Sequence, residues 1–217
     1  MSIGMIVLLA LGLLILFGVL QRVLDRMALT DRQALVCVAA IFIGGWLPDI
    51  PLGLISLNIG GAVVPFIVCV YLFLHAGAAK ERVRAIVASV LTAAAIYALT
   101  MFFPADPVAM PMIDPMILYG VAGGAIAWLL GRSRRSAFIA GVLGVIIADV
   151  VGGVALWMRG INQTVHLGGA GALDAVIIAG VTAVLLCELA GEIMERIHTG
   201  KAHAPNEDGA IQGGSRA

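Results

Sequence analysis

Four polar residues lie in or beside apolar stretches of this sequence and could bind a cation or exchange a proton. Asp149 is surrounded by apolar residues in GVIIADVVGG, and Asp49 ends the segment GGWLPD. Asn58 and His166 each begin a segment with a Gly-Gly-Ala triplet, NIGGA and HLGGA. Carboxylate and carbonyl oxygens suit hard cations, and an imidazole can exchange a proton near neutral pH. These four are therefore the candidate substrate- or ion-binding residues.

The composition places these residues in a membrane protein. Of the 217 residues, 61% are hydrophobic and 12% charged, and the mean hydropathy is +1.07. A soluble domain has about 45–50% apolar and about 25% charged residues, and a membrane-crossing helix needs about 20 apolar residues. Seven runs meet or approach this length: 3–21, 33–47, 59–75, 85–103, 116–131, 136–158 and 172–191. The sequence predicts an all-α fold, a bundle of seven transmembrane helices.

The basic residues predict how this bundle is oriented. All thirteen lysines and arginines except Arg159 fall in the first, third and fifth loops or in the C-terminal tail. Short loops rich in Lys and Arg stay on the cytoplasmic side. We therefore expect an external N-terminus, an internal C-terminus, a transmembrane domain over residues 1–197 and a disordered cytoplasmic tail over residues 198–217.

The acidic residues concentrate on the opposite, external side. Five carboxylates fall in the predicted outer half of the chain: Asp49, Asp106, Asp114, Asp149 and Asp174. An acid inside the membrane costs about 2.5–3.5 kcal/mol on insertion scales, so it normally faces a polar cavity or a partner. For Asp149 two interpretations stay open: a structural hydrogen bond to a neighbouring helix or to Arg159, and a functional contact with an ion or substrate.

Two helical hairpins have similar sequences and predict an internal repeat. RQALVCVAAIFIGGWLPD and RSAFIAGVLGVIIAD both begin with Arg at the inner face, end with Asp toward the outside and precede a Gly-Gly-Ala span. Hairpins that run in the same direction would form a parallel repeat about an axis along the membrane normal. This repeat would align Asp49 with Asp149 and Asn58 with His166, so that all four meet at one outward-facing site. Shared membrane composition is the alternative explanation.

Three segments carry a resemblance to a known family. LQRVLDRMALTDRQAL, LISLNIGGAVVP and RSAFIAGVLGVIIADVVGG resemble a prokaryotic membrane family, domain of unknown function 1614. The resemblance covers most of the chain before the tail. It implies a multi-pass bacterial or archaeal protein of the cell membrane, and it carries no activity or site that could be transferred to these residues.

Three functions fit these features. The first is a small cation- or proton-coupled transporter or channel with an acidic outward-facing site, because a focused negative potential attracts cations. The second is a non-catalytic membrane scaffold or assembly factor. The third is an intramembrane aspartyl protease with Asp49 and Asp149 as a dyad, although the Gly-x-Gly-Asp and Tyr-Asp phrases of such enzymes are missing from the sequence. We expect the lipid bilayer and cations or protons as partners, no nucleic acid at a net charge of zero, and no cofactor.

Overall fold

The computed structural model describes residues 2–103, 114–169 and 172–202. It is built from helices, which confirms the predicted all-α class. In the described ranges the helices are α1 Ile3–Leu16, α2 Gln21–Met27, α3 Asp31–Gly44, α4 Val64–Leu74, α5 Ala79–Phe102, α6 Pro115–Gly131, α7 Arg134–Met158 and α8 Ala172–Ala202. A π-helical turn, Ile59–Val63, leads into α4. Three short strands, β1 Ile50–Leu52, β2 Ile55–Leu57 and β3 Val165–Leu167, form a sheet that the sequence analysis did not predict.

Every predicted apolar run contains a helix, but these helices differ in length. Within the described residues α5, α7 and the stretch Leu173–Arg196 of α8 are long and apolar enough to cross a membrane. The bent pair α1 and α2 would make a fourth such span, judged by length and composition. Ile59–Leu74 and α6 are shorter apolar helices. The structure therefore indicates a membrane protein, whereas the count of seven spans remains a prediction.

Two predicted regions extend beyond what is described. Asp106 and most of the fourth loop lie outside the described residues, as do residues 203–217 of the predicted tail. Helix α8 continues to Ala202, past the predicted start of the tail at residue 198. The division into a transmembrane domain and a disordered tail stays a prediction.

The first apolar run contains a break. Helix α1 ends at Leu16, and α2 begins at Gln21 after a bend of 98°. Gly18 lies between them with φ +71°, in the left-handed region that glycine adopts without the steric cost of a Cβ atom. Since this conformation cannot continue a right-handed helix, the predicted run 3–21 contains α1 and the bend, and α2 begins at its last residue, nearly at a right angle to α1.

Two short sequence signals predict local structure that the chain adopts: TDRQ at 30–33 predicts a capping box, and GRSRR at 131–135 predicts a tight turn. Thr30 Oγ1 accepts a hydrogen bond from the Gln33 amide at 3.3 Å, and Gln33 Oε1 accepts one from the Thr30 amide at 3.0 Å. This capping box satisfies free amides at the start of α3. The segment GRSRR forms a tight turn, in which Arg132 has φ +56° and Ser133 caps α7.

One end of the helix bundle is held together by arginines, and we call it the basic end. Arg134 Nε at the start of α7 lies 2.6 Å from Glu188 Oε2 late in α8. Arg135 donates to the His75 carbonyl oxygen just after α4, at 2.9 Å. Arginine donors commonly satisfy the free carbonyl groups at a helix C-terminus. The start of α7, the end of α4 and the later part of α8 therefore lie at the same end.

The opposite end carries the sheet, and we call it the sheet end. Strand β2 pairs antiparallel with β1 and parallel with β3. Strands β1 and β2 follow α3 and precede α4, and β3 follows α7 and precedes α8. The Gly4 amide near the start of α1 donates to Asp174 Oδ1 near the start of α8 at 3.1 Å, which places these two helix starts together.

Glycines bring backbones into direct contact at the sheet end. A Cβ atom on Gly61 would overlap the Gly168 carbonyl oxygen, and one on Gly60 would overlap the backbone of Gly45. The π-helical turn therefore passes between the end of α3 and the segment after β3. Gly168 also has φ +69°, so both space and conformation require glycine there.

Replacing Gly61 with alanine should destabilise the fold strongly, because the added methyl group meets backbone that no rotamer change can move. Overpacking of a core already costs about 1–3 kcal/mol, and we expect Gly61→Ala to reach or exceed that range. The measurement is thermal unfolding of the purified chain in detergent.

Gly152→Ala is the matched control, since nothing lies within 4 Å of a Cβ atom at Gly152 in α7. Alanine favours a helix over glycine by up to about 1 kcal/mol, so this variant should be neutral or slightly more stable. Equal unfolding temperatures for Gly61→Ala and the unsubstituted chain would contradict the proposed backbone contact.

Candidate functional site

Asp49 is the centre of a hydrogen-bonded cluster at the sheet end. Its Oδ1 accepts from Asn58 Nδ2 at 2.8 Å, and its Oδ2 accepts from Ser56 Oγ at 3.3 Å. His166 Nδ1 lies 3.4 Å from the same Oδ2. A Cβ atom on Gly169 would lie 2.6 Å from Oδ2, so glycine also makes room for the carboxylate. We call Asp49, Ser56, Asn58 and His166 the Asp49 cluster.

The strand pairing explains why these residues meet. Ser56 on β2 lies opposite His166 on β3 in the parallel register. Ser56 and Asn58 are two residues apart, a spacing that places side chains on the same face of an extended chain. The Asn58 amide extends the pairing by donating to the Leu167 carbonyl oxygen at 3.0 Å.

Asn58 also begins the π-helical turn. Its Oδ1 accepts a hydrogen bond from the Gly61 amide at 2.8 Å, as expected of an N-cap side chain. The Asn58 side chain thus makes two hydrogen bonds: its nitrogen donates to Asp49, and its oxygen accepts from the turn. Asn58 and Ser56 are buried, whereas the side chains of Asp49 and His166 are 27% and 46% exposed. The cluster consequently has a buried polar base and a solvent-facing rim.

The hydrogen bonds of the cluster favour the ionised form of Asp49. The Asn58 hydrogen bond is the largest influence that holds the pKa of Asp49 below its ordinary value. Contacts from His166 and Ser56 lower the pKa further, while partial burial opposes them. Donors that point at a carboxylate stabilise its charged form. Asp49 therefore carries a negative charge at neutral pH and joins the segment after α3 to β2 and β3.

Asp149 has a different environment. It lies within α7, nine residues before the helix ends at Met158. Its Oδ2 atom is buried and has no hydrogen-bond partner within the described residues. The neighbouring Gly153 lies against Val165 of β3. A carboxylate oxygen without water or a hydrogen-bond donor is unfavourable. Among the described acids at the sheet end, Asp149 is the one with a buried oxygen that lacks a donor.

The other described acids at this end have structural partners. Asp174 Oδ1 accepts from the Gly4 amide at 3.1 Å, and Asp114 Oδ1 accepts from the Met116 amide at 2.9 Å at the start of α6. Among the described residues no group of three or more His, Cys, Asp or Glu side chains could hold a metal ion.

The structure thus brings together three of the four residues singled out from the sequence, namely Asp49, Asn58 and His166. Within the described residues no hydrogen bond joins Asp149 to them. The sheet register places His166 opposite Ser56. Asp49 also lies beyond the end of α3, whereas Asp149 lies inside α7. The internal repeat itself remains a prediction.

Ser56 was missed by the sequence analysis. The signal that could have found it is the alternation in ISLN, residues 55–58, in which a serine and an asparagine flank one leucine. Alternating positions in a short extended segment share one face. The choice of Asn58 as a candidate residue therefore also indicates Ser56, two positions before it.

The stability contributed by the Asp49 cluster should depend on pH. Because the folded pKa of Asp49 is lowered, its contribution is present above the unfolded pKa of about 3.9 and is lost as the pH falls through the folded pKa. Asp49→Asn, which removes the charge, should lower the unfolding temperature at pH 7, and the difference should shrink as the pH falls below the unfolded pKa.

Asp114→Asn is the control for this experiment, because asparagine caps a helix about as well as aspartate. It should leave the unfolding temperature nearly unchanged at pH 7 and in acid. A destabilisation by Asp49→Asn that is equal at pH 7 and in acid would show that the ionised carboxylate is not what stabilises the cluster.

Comparison with known proteins identifies a family. A family model described as "Protein of unknown function (DUF1614)" matches residues 19–186. Neither curated proteins nor solved structures give a match. The matched range covers most of the chain, from the bend before α2 to the middle of α8. It includes Asp49, Asn58, Asp149 and His166. The chain therefore belongs to the DUF1614 family of proteins of unknown function.

Proposed function

We propose that this chain is a small cation- or proton-coupled transporter of a prokaryotic cell membrane, and that Asp149 is the residue that binds the proton or cation. In this proposal the chain crosses the membrane seven times, with the N-terminus outside and the C-terminus inside. The sheet end faces the exterior, and the Asp49 cluster forms the polar entrance above Asp149.

Contacts at the basic end support seven crossings. The turn between α6 and α7 contacts the start of α5, since Ser133 Oγ donates to Glu81 Oε1 at 2.7 Å. Helix α2 contacts late α8 through Arg22 and Glu195, 3.3 Å apart. These segments are the arginine-rich loops that the sequence analysis assigned to the inside. Successive long helices consequently alternate between the basic end and the sheet end, as repeated crossing of a bilayer requires.

The buried, unpartnered oxygen of Asp149 is the observation that carries the proposal. Ionisable residues inside membrane segments are expensive and usually mark a pathway for an ion or proton. Helix α7 packs against α4, α5, α6 and α8, so Asp149 belongs to the central helix of the bundle. A bound proton or cation would satisfy the oxygen that the described residues leave without a donor.

The Asp49 cluster supports an entrance toward the exterior. Asp49 is ionised and partly exposed, and His166 beside it is more exposed still. A negative charge at the mouth of a low-dielectric cleft raises the local cation concentration. Both Asp49 oxygens already accept hydrogen bonds. We therefore assign to Asp49 the attraction of cations to the entrance, and to Asp149 the binding of the cation or proton.

A non-catalytic scaffold is the second candidate, and the satisfied acids favour it. Asp49, Asp114 and Asp174 all accept hydrogen bonds that fix helix starts or loops. If Asp149 contributes only to packing, the Asp149→Asn variant would still fold and assemble in the membrane. The protease interpretation is not proposed, because within the described residues no hydrogen bond joins Asp49 to Asp149.

The proposed topology predicts where single cysteines react. Gln163→Cys, in the exposed segment before β3, should react with a membrane-impermeant thiol reagent applied to intact cells. Lys80→Cys, at the exposed start of α5, should react only after the cells are opened. The unsubstituted chain gives the background from its three native cysteines, which lie in helices. The reverse pattern, or labelling of both in intact cells, would contradict seven crossings with an external N-terminus.

Transport predicts that Asp149→Asn abolishes flux without unfolding the chain. Protein reconstituted in vesicles should dissipate an imposed proton or monovalent-cation gradient, reported by an internal dye. Asp149→Asn cannot release a proton or neutralise a cation, so its flux should fall to that of protein-free vesicles.

Asp114→Asn removes a charge from the same end of the bundle but keeps the helix cap, so it should transport normally. Gel filtration and thermal unfolding show whether each variant is folded. No flux from the unsubstituted chain, or equal flux from a folded Asp149→Asn variant, would exclude transport through Asp149 and favour the scaffold.

A further inference from the structure

A groove of about 410 Å³ runs along the outer face of α5, beside the end of α6. The buried Ala88 of α5 and Leu130 of α6 line it. Val83, Val87 and Leu91 also line it from α5, and all three are exposed. Because these aliphatic side chains are exposed, the groove opens at the surface of a helix that is long and apolar enough to cross a membrane. Its apolar part therefore faces lipid.

Two cationic side chains line the groove where α5 begins. Lys80 and Arg84 are four residues apart, a spacing that places them on the same face of a helix. Within the described residues neither side chain forms a hydrogen bond or an ion pair. No acid belongs to the described lining of the groove. Both charges are consequently available to an anion that enters the groove.

The charged residues next to these two in sequence have other partners. Glu81 Oε1 accepts a hydrogen bond from Ser133 Oγ in the turn before α7, at 2.7 Å. Arg82 donates to the carbonyl oxygens of Leu74 and Ala76, each at 3.2 Å. The first six residues of α5 carry three cations and one acid, AKERVR, a net charge of +2. The start of α5 thus keeps an excess of positive charge beside the groove.

The length of the groove and its order of polarity match one phospholipid. Lys80 and Leu91 are eleven residues apart, which is about 16 Å along a helix. Half of a hydrocarbon core of about 30 Å is about 15 Å, so the groove extends through about one leaflet. Lysines and arginines beside a membrane attract anionic lipid headgroups. A phosphate at the membrane surface with an acyl chain below it has the same order of charge and hydrocarbon as the groove.

We infer that the groove along α5 binds an anionic phospholipid, with the lipid phosphate beside Lys80 and Arg84 and one acyl chain over Val87 and Leu91. A zwitterionic lipid adds a cationic amine, which the two side chains repel, so the groove favours a lipid with net negative charge. The basic end lies at a membrane surface whichever way the chain is oriented. Asp149 does not line the groove, and the inference is independent of transport.

The first experiment uses the full unsubstituted chain, purified in mild detergent and freed of lipid. Added phosphatidylglycerol should raise the unfolding temperature more than phosphatidylcholine does, and diacylglycerol, which lacks the phosphate, should raise it least. Inorganic phosphate should leave it unchanged, because it has no acyl chain to fill the groove. No stabilisation by phosphatidylglycerol, equal stabilisation by all three lipids, or an equal effect of inorganic phosphate would each overturn the inference.

The second experiment removes the charges. The double variant Lys80→Gln, Arg84→Gln should bind phosphatidylglycerol about tenfold more weakly or worse and lose its preference over phosphatidylcholine, measured by titrating each lipid against the unfolding temperature. The control Arg26→Gln, Arg32→Gln removes two exposed arginines of the same end that do not line the groove, so it should keep the preference. Equal losses in the two double variants would reveal general attraction to the basic end and overturn the inference.

The third experiment fills the groove. Val87 lines it and is 51% exposed, whereas Val90 on the same helix is 55% exposed and does not line it. Val87→Trp should weaken binding of phosphatidylglycerol, because the indole occupies the space of the acyl chain, and Val90→Trp should bind as the unsubstituted chain does. Equal binding by the two folded variants would overturn the inference. So would a Val87→Trp variant that loses only self-association on gel filtration, which would assign the groove to a second copy. Leu91→Trp replaces Val87→Trp if that variant aggregates.

Discussion

The close passage of the π-helical turn between two other backbones is the contact on which the sheet end depends. Gly60 and Gly61 lie against Gly45 on one side and Gly168 on the other, at separations that exclude a Cβ atom. This passage fixes the distance between the end of α3 and the segment after β3. The parallel pairing of β2 with β3, and with it the contact of His166 with Asp49, can form only at that distance.

The same passage explains why Asn58 is buried. Where backbones meet without side chains between them, their polar groups lose water and need internal partners. Asn58 supplies these partners, since its side chain binds the Gly61 amide and Asp49, and its own amide binds the Leu167 carbonyl oxygen. Replacing it by an apolar residue would leave buried groups unsatisfied, each at a cost of about 1–3 kcal/mol. The close contact between the glycines is therefore one reason why the Asp49 cluster forms, whatever function the cluster has.

The sequence predicted the features that depend on local chemistry. The capping box at Thr30 and the turn at Arg132 follow from residues within one helical turn, and the helices follow from long apolar runs. The sheet could not be predicted in this way, because three-residue strands are too short to show a period. The alignment of Asp49 with Asp149 stays a prediction: Asp49 lies beyond the end of α3 at Gly44, whereas Asp149 lies inside α7.

The lengths of the helices bear on both the Asp49 cluster at the sheet end and an apolar cavity of about 140 Å³ that α1, α2, α3 and α8 line. Helices α1 and α3 have 14 residues each, so each is about 21 Å long, less than the roughly 30 Å of a hydrocarbon core. Irregular backbone at membrane depth requires protein partners for its polar groups. At the sheet end the strands and the Asp49 cluster supply them. At the basic end α2 lies across the bundle and turns Val23, Leu24 and Met27 toward a space lined by apolar side chains of α1, α3 and α8. The short helices thus account for a polar cluster at one end and an apolar cavity near the other.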